Sequence, residues 1–522
     1  MSGIFGTMNI ANSGLQAMQS AVNTTSNNIS NAQTEGYSRK RVNLVTNTPQ
    51  HLAGIGEIST GVRIDGVTRI RDVFTDRQVR TENARLNSFE AQNDVYDQLE
   101  IIFNEPSDTG ISDAMQEMWN AWQELSKTPE SVTARTIVLE QSTTMADRFN
   151  HTASQLDSLK AETLFQVNQS TFEINAKLEQ LSAVDTQIQS AVNREMVPND
   201  LLDQRDLLLD QLSSYLTFST EDFADGGIQI TIDSQPMLEQ SPAPRFSVVQ
   251  SVEDVTDSET GVITMKRIGI AQSGDSNNIQ FIEVPQAEAG DLSAWRPGTV
   301  VASKAALPEA LTDFTVVKAG EGKVSGLQSM LSELDQYTEK IDALASGMAA
   351  LINTVHSNGG TGTDFFTSRK GDEIITAASI QVNSTLKGAP ELIAAGKLQA
   401  GTGPDGDGSR ALAIASLRDV SLKASDFNPD TMRFETATGD TSDARYRATV
   451  AGLGVDAAYS RTMAENETSL LNQLHQRRES VMGVSIDEEI SALVKFQNGY
   501  QANARVMTTL TNMLDTLINM VR

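Results

Sequence analysis

The two ends of the chain match each other, and the middle matches neither. Ile4, Met8, Ala11, Leu15, Met18, Val22 and Ile29 fall on a four-three spacing interrupted only by Thr25. Ile486, Ile490, Leu493, Tyr500, Ala504, Met507, Leu514, Ile518 and Val521 repeat it, broken only by Gln497 and Thr511. Such spacing predicts a helix with a narrow apolar seam at each end. A seam that narrow makes no globular core alone, so the ends must pair with one another, with other copies of the chain, or with both. That points to assembly rather than catalysis.

Charge is distributed to match. The chain has 522 residues and a formal net charge of −28, which argues against a nucleic-acid surface, because a polyanion is bound by clustered Lys and Arg. Residues 1–60 carry Arg39, Lys40 and Arg41 against Glu35 and Glu57, a balance of +1. Residues 483–522 carry Lys495, Arg505 and Arg522 against Asp487, Glu488, Glu489 and Asp515, a balance of −1. The middle therefore holds the whole −28 and keeps the particle soluble, while the ends are near neutral, as self-packing surfaces should be. There is no cysteine, which removes disulfides, thiolate metal sites and thiol nucleophiles. No secretory signal is expected, since no Lys or Arg precedes Arg39 and polar residues break the first apolar stretch. No apolar run approaches the roughly 18 residues of a membrane helix, so membrane insertion is not expected.

The length leaves room for two to four domains at about 150 residues each. Residues from about 72 to 103 read as a polar helix, and Ile111, Met115, Met118, Trp122 and Leu125 give a second one that stops at Pro129. A very long helix follows, striped by Met145, Phe149, Leu156, Leu159, Ile174, Leu178, Leu181 and Ile188, and Pro198–Asn199 restart a short one. Past Asp225-Gly226-Gly227 the period changes to two at Ile228, Ile230 and Ile232, with further short runs at 246–249, 262–270, 279–284 and 314–317. Helical spacing resumes from Leu327 to Val355, residues 420–445 allow a few more strands, and helix runs from about Ser442 to the end with a joint at Gly483. The fold class is mainly α with inserted β. Its architecture is nested: a coiled-coil-like pair of terminal helices (1–62 and 483–522), a long-helix bundle (63–224 and 321–482) and an outer β domain (225–320).

Within this frame, Ser26-Asn27-Asn28-Ile29-Ser30-Asn31-Ala32-Gln33-Thr34-Glu35-Gly36-Tyr37 resembles the N-terminal signature of bacterial flagellar rod, hook and hook-associated proteins, and Asp487 to Asn519 resembles their C-terminal segment. Three interior stretches, Asn199 to Leu209, Asp364-Phe365-Phe366 and Arg477 to Glu489, are similar to the hook-associated members at the hook-filament junction. The resemblance implies a secreted structural subunit of the flagellum, without cofactor. It further implies export unfolded through the flagellar type III apparatus, a dedicated chaperone on the C-terminal segment, and contacts with like copies, the hook protein and a second junction protein. The residues expected to carry assembly are Met8, Leu15, Met18, Val22, Asn27, Asn28, Ile29, Asn31, Gly36 and Tyr37 at one end. At the other they are Ile486, Ile490, Leu493, Tyr500, Ala504, Met507, Leu514, Leu517, Ile518 and Val521. The Asn side chains can cap a helix end, and Gly36 permits the left-handed turn after it.

Other chemistry fails on inspection. His51, His151, His356 and His475 lack a second ligand at helical spacing, so a zinc site is not expected. Asp405-Gly406-Asp407-Gly408 lacks the third oxygen ligand and closing Glu of a calcium loop and reads as a flexible turn. Gly452-Leu453-Gly454 follows no strand, and no Gly-x-Ser-x-Gly elbow occurs. Asp203, Arg205 and Asp206 alternate with Leu and read as a solvated helix face with local salt bridges. The competing readings are another axial protein of the same family (hook or distal rod), a rod-associated wall hydrolase, which would need a carboxylate pair or metal site, and a generic helical adaptor, which leaves the Asn-rich turn unexplained.

Overall fold

The computed structural model describes residues 4–52, 56–237, 244–256, 263–272, 275–286, 292–303, 308–397, 406–436 and 438–520. Val262, Val521 and residues 401–405 of the Gly-rich loop lie outside the described residues. The chain opens with helix α1 (Ile4–Ser30), followed by strands β1 (Lys40–Thr46), β2 (Gln50–Leu52), β3 (Gly56–Ile58) and β4 (Val62–Arg69). Four helices come next: α2 (Val73–Phe103), α3 (Ile111–Lys127), α4 (Val132–Val192) and α5 (Asn199–Ser213). Strands β5 (Ser219–Asp222), β6 (Ile228–Ile232), β7 (Gln235–Pro236), β8 (Arg245–Thr256), β9 (Ile263–Ala271), β10 (Ile279–Pro285), β11 (Val300–Ser303) and β12 (Phe314–Val316) form the β region. Helix α6 (Lys323–His356), strands β13 (Phe366–Ser368) and β14 (Ile380–Val382), and short helices α7 (Ser384–Gly388) and α8 (Ser409–Ser416) follow. Strands β15 (Ser425–Asn428) and β16 (Arg433–Thr436) precede the closing helices α9 (Ser442–Met482) and α10 (Ile486–Met520).

Local chemistry sets the helix limits. The Asp72 carboxylate accepts from the Phe74 and Thr75 amides at 3.1 and 3.4 Å to open α2, and Asn104 closes it in the left-handed region at φ 44°. Ser131 and Thr441 cap α4 and α9 in the same way, accepting from Ala134 and Ala444 at 3.2 and 3.3 Å. At 61 residues and 1.5 Å per residue, α4 runs roughly 90 Å. The apolar stripes read on α3, α4 and α6 are buried along their length, in one continuous core that also takes in α2, α5, α8 and α9.

The β region departs from its expected outline. The boundary expected at 225 falls inside the β5–β6 hairpin, and Ile228, Ile230 and Ile232 are buried in the main helical core. The larger sheet has the antiparallel order β10-β9-β8-β11-β12. Phe246 and Val248 of β8 join the main core, whereas Val249, Ile268, Ile270 and Val301 make a second, outer cluster. A sheet that seals α4 with one face and its own small core with the other is a roof rather than an independent lobe. Residues 40–69, expected within a helical layer, instead form the β1–β4 pair with β2–β3 near its tip.

Candidate functional site: the paired chain ends

Helices α1 and α10 pack against each other along their length. They run antiparallel, because Asn28 meets Glu489 near one end and Gly14 meets Asn503 further along. The contact is close. A Cβ on Gly14 would come 2.8 Å from Asn503 Oδ1, and one on Gly499 would come 2.9 Å from Met18 Sδ. Helices this near cannot hold large side chains between them, which decides the face that α1 turns inward.

That face is Ala11, Gly14, Ala17, Ala21, Thr25 and Asn28, and it corrects the stripe read from the sequence. Thr25, read as an interruption, is 4% exposed. Met8, Leu15, Met18, Val22 and Ile29 are only half-buried beside it. On α10, Leu493, Ala504, Met507 and Leu514 are half-buried, while Ile486, Ile490, Tyr500, Leu517 and Ile518 are exposed, Ile490 at 47% and Tyr500 at 41%. Phe5, Ile10, Val494, Val506, Met513 and Met520 are exposed as well and were missed. The second row of small residues at three- and four-residue steps was the signal that could have located the inner face.

Asn28 is the best-satisfied polar group of the pair. Its Oδ1 accepts from the Lys40 amide at 3.0 Å and the Tyr37 hydroxyl at 2.8 Å, and its Nδ2 donates to Lys40 O and Glu489 Oε2, both at 2.9 Å. Glu489, 3% exposed, uses its other oxygen to accept from Arg39 Nε at 2.8 Å, while Arg39 also bonds Glu488 at 2.9 Å. Burial, with the charges of Asp203, Asp200 and Glu489, pushes the Tyr37 hydroxyl up to about 12, so it stays a donor. Asn27 and Asn31 bond each other at 2.6 Å on the exposed side, and Gly36 turns the chain at φ 77°. Glu489 and Arg39 were not predicted as site residues. The run Asp487-Glu488-Glu489, opening a helix whose only other acid is Asp515, was the signal.

A second charged cluster ties this layer to the helical body. Lys40 pairs with Asp200 and Asp203, Arg69 with Asp203 and Asp206 at 2.9 and 2.8 Å, and the Asn199 amide donates to Val67 O at 2.8 Å. Arg71 and Arg80 reach Asp206 at 3.0 and 3.3 Å, and Arg478 reaches Asp210 at 2.9 Å. Burial pushes the Asp206 carboxyl up, but Arg71, Arg69 and Arg80 outweigh it and hold it below the usual range. The expected solvated face is therefore wrong. Asp203 and Arg205 are buried, and their partners lie across elements rather than one turn away, because α5 is wedged between β4 and α4. Asp407, from the Gly-rich loop, accepts from the Lys397 and Ser409 amides at 2.8 and 3.0 Å. Among the described residues no three His, Asp or Glu side chains converge as metal ligands would, and no helix is long and apolar enough to cross a membrane.

Three family models match in chain order: "Flagella basal body rod protein" over 8–37, "Flagellar hook-associated protein FlgK helical domain" over 96–314, and "Flagellar basal body rod FlgEFG protein C-terminal" over 475–520. The chain is 28% identical to flagellar hook-associated protein 1 of Bacillus subtilis, over 99% of each chain. It is 24% identical to that of Escherichia coli, over 98% of this chain and 99% of the other. The solved structure of the flagellar hook junction protein FlgK from Burkholderia pseudomallei shares the fold, with a TM-score of 0.52 at 15% identity over 78% of this chain and all of that one. With a hook-associated helical-domain match held between rod-type end matches, the chain is similar over nearly its whole length to flagellar hook-associated protein 1 of these organisms.

Proposed function

We propose that the protein is a structural subunit of the bacterial flagellar axis that joins hook to filament, polymerising through α1 and α10. The observation that carries this is the outer face of the terminal pair. The small residues satisfy the contact within one chain, and a row of large apolar side chains is left exposed on α10, where apolar surface from neighbouring subunits would cover it. The work is mechanical, and no residue is assigned a catalytic role. Like copies meet at this face, with the hook protein on one side of the ring and a second junction protein on the other. Before export, a dedicated chaperone holds the C-terminal segment that becomes α10, and the chain then leaves the cell unfolded by the type III route.

The test is electron microscopy of cells lacking the gene. Hooks of normal length without filaments are expected, and purified protein added to those hooks should restore filament growth. Cells without hooks would instead indicate a distal rod or hook subunit. Normal filaments would overturn the junction role.

A further inference from the structure

We infer that the buried Asn28–Glu489 contact is the register pin of the terminal helix pair, setting which residues of α10 face neighbouring subunits. The inner face of α1 is otherwise Ala, Gly and Thr, nearly uniform along its length, and a uniform small-residue face specifies axial position weakly. The two close contacts beside it are with the ends of Asn503 and Met18 side chains, which can swing aside. Among the described residues of α10 only Glu489 and Leu510 are buried. A buried polar pair behaves differently from an apolar one, because sliding α10 by one turn takes the Glu489 carboxylate away from both Asn28 and Arg39 and leaves one Asn28 Nδ2 proton without its acceptor. Asn28 makes four hydrogen bonds in the observed register, two of them to the backbone of Lys40, so the pin also fixes α1 to β1. Arg39 completes the carboxylate of Glu489.

The consequence for assembly rests on the junction-subunit reading. A slide of one turn, about 5–6 Å, would carry Ile486, Ile490, Val494 and Tyr500 past the β1–β4 pair and present neighbours with a displaced row. Glu489 and Asn28 are therefore positioning residues for polymerisation, acting through α10 and not by touching the neighbour.

The absence of cysteine in the chain makes register directly readable in the full-length monomer. A Gly14→Cys/Asn503→Cys pair reports the observed register, and a Gly14→Cys/Gly499→Cys pair reports a one-turn slide. In the otherwise unchanged protein, mild oxidation should close the first pair in large excess over the second. Glu489→Leu, and separately Asn28→Asp, should shift that ratio at least tenfold toward the displaced pair. The swap Asn28→Asp with Glu489→Gln puts the carboxylate on the other helix opposite an amide donor, gives up the bond to Lys40 O, and should return part of the ratio lost in Asn28→Asp alone, which a general loss of stability would not do. A ratio unchanged within twofold in Glu489→Leu overturns the inference. So does loss of both cross-links together, which would mean that the contact holds the helices together without choosing their register, or failure of the swap to restore. Filament growth on exposed hooks is read in parallel. Failure of the parent protein there would sink the junction reading while leaving the cross-link result intact.

Discussion

Single residues hold this molecule together where the main chain would otherwise be left open. Arg410, 2% exposed, donates to the carbonyls of Val355, His356, Gly396 and Lys397 and to Asn358 Oδ1, at 2.7–3.2 Å. It closes the C-terminal end of α6 and pins the 396–397 loop to it. Arg410→Ala should cost about 3–5 kcal/mol in urea unfolding, since it strands buried carbonyls, and Arg410→Lys should recover little because an ammonium cannot span the same fan. His356 is the neighbouring case. Its Nδ1 donates to Thr363 O at 2.7 Å and its Nε2 accepts from the Ala394 amide at 3.1 Å, so the ring is neutral. Burial lowers it from 6.5 to about 4, opposed by the Thr363 bond and assisted by Arg410. The unfolded chain takes up the proton first on acidification. Stability from this group is therefore complete above pH 6.5 and lost as pH falls toward 4, by roughly 3 kcal/mol. His356→Gln should flatten the stability profile in that window, measured as urea midpoints at pH 7, 5.5 and 4. Neither role was legible beforehand, because both depend on carbonyls and amides that only folding brings near. The Asn28 turn was legible as a motif, but not its partner Glu489, which lies 461 positions away.

At the scale of elements, legibility followed periodicity. Helices α3, α4 and α6 were readable because each presents one face to a single continuous core, and α9 and α10 separate at Gly483, where a Cβ would meet Glu479 O at 2.4 Å. Strands β1 and β4 were not readable, since most of their residues are half-exposed or exposed and no period-two apolar row arises. The four buried residues of β11 were overlooked because a run so short has no period. The β region was readable as β but not as part of the main core, because alternation at Ile228, Ile230 and Ile232 does not say what the inner face covers. Excising residues 225–320 should therefore unfold the helical body rather than trim a lobe, visible as loss of the cooperative thermal transition. Ile230→Ala alone should cost about 2–4 kcal/mol. A stable, helical excision product would show that α4 can close its exposed stripe without the roof.

At the scale of the whole molecule, the inward face of the terminal pair holds the monomer and the outward face is the one proposed for assembly, so the two can be tested apart. Leu514 is half-buried and Ile518 is 57% exposed in the monomer. Replacing both with Asp should leave thermal unfolding of the monomer unchanged within a degree or two, yet abolish filament growth when the variant is added to exposed hooks. There, charges without partners would be buried at a cost of several kcal/mol. Equal growth with parent and variant would remove this face from the assembly. Limited proteolysis should cut near 1–60 and 483–520 before the body, because so little of α10 is buried within its own chain. The pairing of α1 with α10 also has a meaning in time. A chain made or threaded from its first residue onward exposes α1 at the start and completes α10 only at the finish, so the surface proposed to join subunits does not exist until both are present. A product that stops before residue 486 keeps most of the body and all of α1 but has no α10 to lay against it. Under the proposed assembly through α10, unfinished copies are excluded from the growing structure without any separate inspection step.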